Sequence, residues 1–196
     1  MLEASLRLVV LFIAISASAA QTPAILDTSG QPLRRGVDYL ILPGVTDVAG
    51  GLTLQPRNAT ASCPLFVAQE PLAQVVSQGL PVSFAPFAAG ENVVREGRDL
   101  IATFSAATTC VQSTSWGIGE EDAQSRRRFI VTAGQPSYFR IERNATTNAY
   151  QIGWCPGESC PNCGRPRCGA AGILIRDGRR FLALDGPAFP FRFMRA

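Results

Sequence analysis

The sequence contains no histidine, and this absence excludes several classes of enzyme. Ser-His-Asp and Cys-His catalysis both need an imidazole base, and His-ligated zinc sites need imidazole ligands. A pair of carboxylates is the enzymatic option that is left, and its candidate is the run Glu120-Glu121-Asp122. Consecutive acidic residues are more typical of a solvated loop. We interpret this run as such a loop and predict that the protein is not an enzyme.

Lysine is also absent, so all 18 basic residues are arginines. They are spread along the chain among 15 acidic residues, apart from one cluster at Arg126-Arg127-Arg128. A nucleic-acid-binding protein concentrates positive charge and aromatic rings on one face. The dispersed charge therefore indicates a solvated surface rather than a nucleic-acid partner. We also expect no cofactor.

The sequence lacks an apolar run long enough to cross a membrane, which takes about 20 residues. Its longest candidate, residues 8–15, follows Arg7 and leads into the small residues Ser16-Ala17-Ser18-Ala19-Ala20. A basic start, a short apolar run and small residues at a cleavage site are the pattern of a secretory signal peptide. A buried N-terminal helix is the alternative, but it would not require all three parts. We expect a signal peptide at 1–20, one domain at 21–196, and a protein that is extracellular or vacuolar with no membrane association.

Helix signals are scarce, and short apolar runs bounded by turn residues recur instead. Such runs predict strands of an all-β sandwich or barrel. Alternating polarity places Phe139 and Ile141 on one face, and Phe189, Phe191 and Phe193 on another. Asp177-Gly178 is a hairpin turn signal. The predicted strands cover eleven runs, at 39–42, 52–54, 64–68, 81–84, 100–104, 129–132, 138–141, 150–154, 172–175, 181–184 and 189–193.

Four of the six cysteines follow the spacing C-x4-C-x2-C-x4-C, at Cys155, Cys160, Cys163 and Cys168. Four thiolates at such spacings can bind a zinc ion in a tetrahedral site, or the same sulfurs can form two nested disulfides. The predicted secretion favours disulfides because oxidising compartments allow them to persist. A cytosolic protein would favour zinc.

The other two cysteines, Cys63 and Cys110, flank the long segment 81–104, which Pro86, Gly90 and Gly97 interrupt. Residues 85–92 in it have neither strand nor helix periodicity, and we interpret them as an exposed loop. A disulfide between the two cysteines would lower the entropy of the unfolded chain and so stabilise the folded state by about 4 kcal/mol. A loop-rich β domain would use that constraint.

Two N-glycosylation sequons are present, Asn58-Ala59-Thr60 and Asn144-Ala145-Thr146. Neither has a proline in the middle position, and each lies in a polar, turn-like stretch. They are consistent with the secretory pathway and predict glycans on Asn58 and Asn144.

Several ordered motifs resemble the plant Kunitz-type, soybean-trypsin-inhibitor-like family. They span the mature chain and comprise Ile25-Leu26-Asp27-Thr28-Ser29-Gly30-Gln31-Pro32-Leu33, Tyr39-Leu40-Ile41, Cys63-Pro64, Val93-Val94-Arg95, Phe139-Arg140-Ile141-Glu142 and Arg179-Arg180-Phe181-Leu182-Ala183-Leu184. Ser29 departs from the signature, in which an acidic residue, Asn, Thr or Tyr is usual. The four-cysteine block resembles the miraculin-like branch of the family.

The resemblance implies a β-trefoil, in which six strands form a short barrel and six form a hairpin cap. It also implies three disulfides, which join Cys63 to Cys110, Cys155 to Cys168 and Cys160 to Cys163.

Members of the family inhibit serine endopeptidases by presenting an exposed loop as a rigid substrate mimic. Alignment on Pro86 implies an inhibitory loop at residues 85–92 that includes Gly90, with Phe87, Ala88 and Ala89 around the scissile bond. Ala88 would then occupy the primary pocket of the protease. Its methyl group supplies no charge for trypsin, but it suits the small pocket of an elastase- or subtilisin-like enzyme.

Arg35 stands where inhibitory members usually place an asparagine that supports the loop. We interpret Arg35 as the loss of the supporting asparagine and Ala88 as the loss of the basic residue for trypsin. Both losses resemble the miraculin-like branch, where inhibition is often weak or missing. A defence, storage or ligand-binding protein without inhibitory activity is therefore the alternative function. Arg165 and Arg167 form a second candidate loop for a trypsin-like protease, although Pro166 would make Arg165 a poor substrate mimic.

Overall fold

The computed structural model describes residues 22–45, 49–71, 78–110, 112–132, 135–144 and 147–196. The predicted signal peptide lies outside the described residues. The described residues form thirteen strands: β1 Asp38–Pro43, β2 Leu52–Pro56, β3 Leu65–Gln69, β4 Val82–Pro86, β5 Leu100–Phe104, β6 Trp116–Glu121, β7 Arg128–Thr132, β8 Arg140–Arg143, β9 Tyr150–Trp154, β10 Gly169–Ala170, β11 Gly172–Arg176, β12 Arg179–Ala183 and β13 Phe191–Arg195. In these ranges no helix is long and apolar enough to cross a membrane.

The strands form two sheets that correspond to the barrel and the cap of a β-trefoil. In the first sheet the order is β10-β9-β13-β1-β4-β5, and β8 also pairs with β9. A bridge between Leu100 in β5 and Phe139 next to β8 closes this sheet into a barrel. The second sheet contains the three hairpins β2–β3, β6–β7 and β11–β12, which cap the barrel. The predicted β-trefoil is confirmed.

The three cap hairpins each contribute one phenylalanine to a buried aromatic cluster. Phe66 in β3, Phe129 in β7 and Phe181 in β12 pack edge to face, with ring centroids 5.2 to 5.7 Å apart. The residue after each ring is an aliphatic one that is fully buried in the barrel core. Each hairpin therefore presents the same pair of side chains, one to the cap and one to the barrel.

All eleven predicted runs overlap a strand, but β6 and β10 were not predicted. The β6 sequence, Trp-Gly-Ile-Gly-Glu-Glu, lacks alternation because two of its positions are glycines. Gly119 has a packing reason, since a Cβ atom there would lie 2.7 Å from Cγ1 of Val131 on the paired strand. Strand β10 has only two residues and pairs with β9 across the Cys155–Cys168 disulfide.

The interpretation of Glu120-Glu121-Asp122 as a solvated loop was wrong. Glu120 and Glu121 end strand β6, and Asp122 is only 4% exposed. Hydrogen bonds from the N–H and hydroxyl of Ser125, together with Arg176, lower the pKa of Asp122 to about 2. The run therefore forms part of a tightly hydrogen-bonded turn between β6 and β7.

The predicted hairpin turn at Asp177-Gly178 joins β11 to β12. Both residues have positive φ, 49° and 73°, as the two-residue turns of tight hairpins require. The predicted inward faces are also present, since Phe139, Ile141, Phe191 and Phe193 are all buried.

Candidate inhibitory loop

The candidate inhibitory loop lies in the connection between β4 and β5. Pro86 pairs with Leu100 at the last position of the ladder. The N–H of Phe87 then donates to the carbonyl of Asp99 at 2.8 Å and closes the neck of the loop. The interpretation of 85–92 as an exposed loop was too broad, because β4 includes Ala85 and Pro86 and Pro86 is buried.

The tip of the loop is exposed and contains an aromatic side chain. Phe87 is 43% exposed, and its ring packs edge to face on Tyr138 with the centroids 5.1 Å apart. Ala89 and Gly90 are exposed, whereas Ala88 is half-buried. The residue predicted to enter a protease pocket is thus less exposed than its two neighbours.

A tight turn follows Ala88. The N–H of Glu91 donates to the Ala88 carbonyl at 3.2 Å, and Gly90 has a φ of 76°, which favours glycine. This turn reverses the chain directly after the position predicted for the scissile bond.

Arg35 supports the loop from behind. Its guanidinium donates to the carbonyls of Pro86 at 2.6 Å, Glu91 at 2.9 Å and Ala88 at 3.4 Å. Its own N–H donates to the carbonyl of Asn92 at 3.0 Å. The interpretation of Arg35 as a lost support was therefore wrong, because an arginine at this position reaches three loop carbonyls at once.

The outgoing limb of the loop is attached to the N-terminal segment. Val94 is buried and its N–H donates to the carbonyl of Leu33, while the Val94 carbonyl accepts from Ile25, both at 2.9 Å. The side chain of Arg95 reaches Glu91 at 3.4 Å and the Thr22 carbonyl at 3.0 Å. Both limbs of the loop are consequently attached to the rest of the protein.

Asp99 is a functional candidate that the sequence did not reveal. Its side chain is fully buried beneath the neck of the loop and forms an ion pair with Arg140, with 2.6 Å between Oδ1 and Nε. Burial raises its pKa, but hydrogen bonds from Ser159, Arg140 and Gly157 outweigh burial and hold the pKa below its usual value. The partners are 41 to 60 residues away in sequence, so no local motif marks this aspartate.

The structure contains the three disulfides that the resemblance implies: Cys63–Cys110, Cys155–Cys168 and Cys160–Cys163. All six cysteines of the sequence are thereby paired, and residues 155–168, here called the cysteine segment, are not a four-thiolate zinc site.

The structure separates the other predicted residues from the loop. Arg167 of the cysteine segment forms ion pairs with Glu121 at 2.9 Å and Asp185 at 3.3 Å, and its side chain is 55% exposed, so the second candidate loop stays a prediction. In the first sequon the Asn58 side-chain oxygen accepts hydrogen bonds from the N–H and hydroxyl of Thr60. The second sequon begins at Asn144 directly after β8, and its residues 145–146 lie outside the described residues. Glycosylation at both sites stays a prediction.

Comparison with known proteins identifies the family. The legume Kunitz model, described as "Trypsin and protease inhibitor", matches residues 25–195. Kunitz type trypsin inhibitor 111 of Medicago truncatula is 42% identical over 87% of this chain and 86% of its own length. Miraculin of Synsepalum dulcificum is 34% identical over 91% of this chain and 86% of its own length. The structure of the rice (Oryza sativa) bifunctional alpha-amylase/subtilisin inhibitor superposes with a TM-score of 0.71 at 30% identity, covering 90% of this chain and all of that one.

These matches span nearly the whole described chain and agree with the β-trefoil fold. The chain belongs to the plant Kunitz family of trypsin and protease inhibitors, and it is an inhibitor-type protein rather than an enzyme.

Proposed function

We propose that this protein inhibits a serine endopeptidase that has a small primary pocket, through residues 85–92 with Ala88 as the primary residue. The observation that carries the proposal is the support of the loop by Arg35, whose guanidinium binds the carbonyls of Pro86, Ala88 and Glu91. A loop that is ordered before docking loses little entropy when it binds. The exposed tip on two fixed limbs is the form that a rigid substrate mimic requires.

Ala88 determines the class of protease in this proposal. Trypsin uses a carboxylate to attract a basic side chain, and the methyl group of Ala88 offers it nothing. A shallow apolar pocket accepts alanine, and the rice relative is named as an inhibitor of subtilisin. A subtilisin- or elastase-like enzyme is therefore the proposed partner, although the Medicago relative is named for trypsin.

Docking has to change the environment of one carbonyl. The Ala88 carbonyl accepts two long hydrogen bonds, at 3.2 Å from Glu91 and 3.4 Å from Arg35. A serine protease binds the primary-residue carbonyl in its oxyanion hole, with donors at about 2.7–3.1 Å. Because the internal bonds are long, exchanging them for shorter ones with the protease is favourable, and the Pro86 and Glu91 carbonyls remain held by Arg35.

We propose in addition that the chain is secreted, with residues 1–20 removed, to an extracellular or vacuolar compartment. Three disulfides support this, because oxidising compartments preserve them. N-terminal sequencing of the protein made in plant cells tests it, and a mature start near Gln21 is expected. Recovery of the intact N-terminus from the cytosol would overturn this part.

A panel of trypsin, chymotrypsin, elastase and subtilisin tests the inhibitory function. The wild-type protein is expected to inhibit subtilisin or elastase at nanomolar concentrations and to leave trypsin active. The variant Ala88→Arg is expected to gain trypsin inhibition by about 100-fold or more, since it supplies the charge that the pocket binds. Ala89→Arg places the same charge one residue later and is the matched control, for which no such gain is expected. Absence of inhibition of all four enzymes at micromolar concentration would overturn the proposal.

The second candidate is a miraculin-like protein without inhibitory activity. The observation in its favour is the uncharged, half-buried Ala88, together with the similarity to miraculin. The same panel discriminates between the two functions. Only the first predicts that a protease is inhibited and that substitution of Ala88 changes this inhibition.

A further inference from the structure

The carboxylate of Asp99 joins the neck of the candidate inhibitory loop to the cysteine segment. Its Oδ2 accepts hydrogen bonds from the N–H of Gly157 at 3.0 Å, the N–H of Ser159 at 2.8 Å and the hydroxyl of Ser159 at 2.7 Å. Its Oδ1 accepts from Arg140 at 2.6 Å. A fully buried carboxylate needs such donors to offset its loss of hydration, so the position of Asp99 depends on residues 157–159.

The main chain of Asp99 holds the loop directly. Its carbonyl accepts the N–H of Phe87, the first residue beyond β4, at 2.8 Å. On its other side, Leu100 exchanges hydrogen bonds of 2.9 and 2.8 Å with Phe139. Hydrogen bonds therefore connect Gly157 to the side chain of Asp99 and the main chain of Asp99 to Phe87.

The cysteine segment contains no strand and no helix, and residues 161–165 are exposed. It has no core of its own, so its shape depends on the two disulfides and on a few hydrogen bonds. Cys155–Cys168 joins its ends, and Cys160–Cys163 closes the turn directly after Ser159. The N–H of Cys160 also donates to the Gly157 carbonyl at 3.3 Å. The smaller disulfide is therefore attached to Cys160, the last residue of the turn 157–160 that binds Asp99.

We propose that the cysteine segment positions the inhibitory loop, with Ser159 and Asp99 as positioning residues and the Cys160–Cys163 disulfide as their support. The proposal rests on the proposed function, because it concerns the rigidity of the same loop. A binding loop keeps its geometry only when a second layer of contacts holds the residues that support it. In this chain the second layer is supplied by a disulfide-linked segment far away in sequence.

The chain contains a matched control for Ser159. Ser125 donates its N–H and its hydroxyl to Asp122 at 2.8 and 2.7 Å, the same chemistry as Ser159 on Asp99. Asp122 lies in the β6–β7 turn of the cap, which contributes no residue to the loop or its neck. This turn contacts the cysteine segment at Arg167, eight residues beyond Ser159, through Glu121 and the carbonyl of Arg126. Ser125→Ala and Ser159→Ala remove the same kind of hydrogen bond, but only the second removes it from the support of the loop.

The test measures two properties of wild type, Ser159→Ala, Ser125→Ala and the pair Cys160→Ser with Cys163→Ser. The first is the amide hydrogen exchange of Phe87 and Glu91, followed by NMR. The second is the inhibition constant for the protease that the panel identifies. We expect Ser159→Ala and the cysteine pair each to accelerate exchange at Phe87 by about tenfold and to weaken inhibition similarly. Ser125→Ala should leave both properties at the wild-type value.

If no protease is inhibited, the proposed function alone is overturned. The exchange measurement tests the present inference in that case too, because it needs no protease. Equal exchange at Phe87 and Glu91 in Ser159→Ala, Ser125→Ala and wild type would overturn the inference. Equal acceleration in both serine variants would also overturn it, because that result indicates a general loss of stability. The Ser159→Ala variant keeps all three disulfides, so its result is independent of whether the cysteine pair folds.

Discussion

Among single residues, Arg35 has the most direct influence on the conformation of the candidate inhibitory loop. Because the Arg35 side chain is long, its guanidinium reaches three loop carbonyls, whereas a shorter side chain would reach them only if the main chain lay closer to the loop. The planar arrangement of its N–H groups allows these donations at the same time. Binding and loop order are therefore expected to depend on this one residue.

Arg35→Ala is expected to weaken protease inhibition by about 10- to 100-fold, since it removes hydrogen bonds worth about 1 kcal/mol each. The inhibition constant for subtilisin or elastase measures this effect. Arg34→Ala is the matched control: it removes the same charge from the adjacent exposed position and should change inhibition less than threefold. An equal loss in both variants would indicate that charge, rather than loop support, is responsible.

At the scale of elements, the β6–β7 turn depends on the ionised form of Asp122. The folded-state pKa is about 2, below the ordinary value of 3.8, mainly because the N–H of Ser125 binds the carboxylate. The turn therefore stabilises the fold fully above about pH 4 and loses this stabilisation as the pH falls towards 2.

The expected loss is at most about 2 kcal/mol of unfolding free energy, measured by urea unfolding at pH 5 and pH 2.5. Asp122→Asn should reduce the difference between the two pH values. Asp177→Asn changes an exposed turn aspartate and should leave the difference unchanged. A wild-type protein with the same pH dependence as Asp122→Asn would contradict this prediction.

The Cys63–Cys110 disulfide joins the start of β3 to the connection between β5 and β6, across a sequence separation of 47. Replacing both cysteines by serine is expected to lower the unfolding free energy by about 4 kcal/mol, because the unfolded chain gains the entropy of an open loop. Guanidinium unfolding measures it. The Cys160–Cys163 pair spans only 3 positions, so its removal should cost clearly less, and equal costs would contradict the entropic explanation.

At the scale of the whole molecule, the three cap hairpins meet at Phe66, Phe129 and Phe181. Arg57 lies over this cluster, 5.2 Å from the centroid of Phe129 and 5.9 Å from that of Phe66, and adds a cation–π contact. Contacts within this cluster join the three cap hairpins to one another.

Phe129→Ala is expected to lower the unfolding free energy by about 3–5 kcal/mol, because it leaves a cavity between two rings that cannot collapse. Thermal unfolding measures it. Phe87→Ala also removes a phenyl ring, but from an exposed edge contact, and should cost less than about 1.5 kcal/mol. Similar costs for the two variants would show that the cluster does not join the hairpins.

The threefold symmetry is also present in the sequence, although it is not obvious there. The three strands contain Phe66-Val67-Ala68, Phe129-Ile130-Val131 and Phe181-Leu182-Ala183, each with a ring followed by two aliphatic residues. The spacing between them is irregular because the loops differ in length. The repeat becomes evident in the structure, where the three rings pack against one another.

The sequence by itself determined the all-β class, most strands and the disulfide pairing through family resemblance. Alternating apolar residues and turn signals are local, so they survive in a linear reading. The sequence also places the uncharged Ala88 at the predicted primary position. The argument against trypsin follows from that placement, since it depends on the chemistry of one side chain.

Only the tertiary structure decided what supports the loop. Arg35 is 51 to 56 residues from the carbonyls that it binds, and Asp99 is 58 to 60 residues from Gly157 and Ser159. Hydrogen bonds between distant segments leave no periodic trace in a sequence. For this reason Arg35 was read as a lost support and proved to be the support itself.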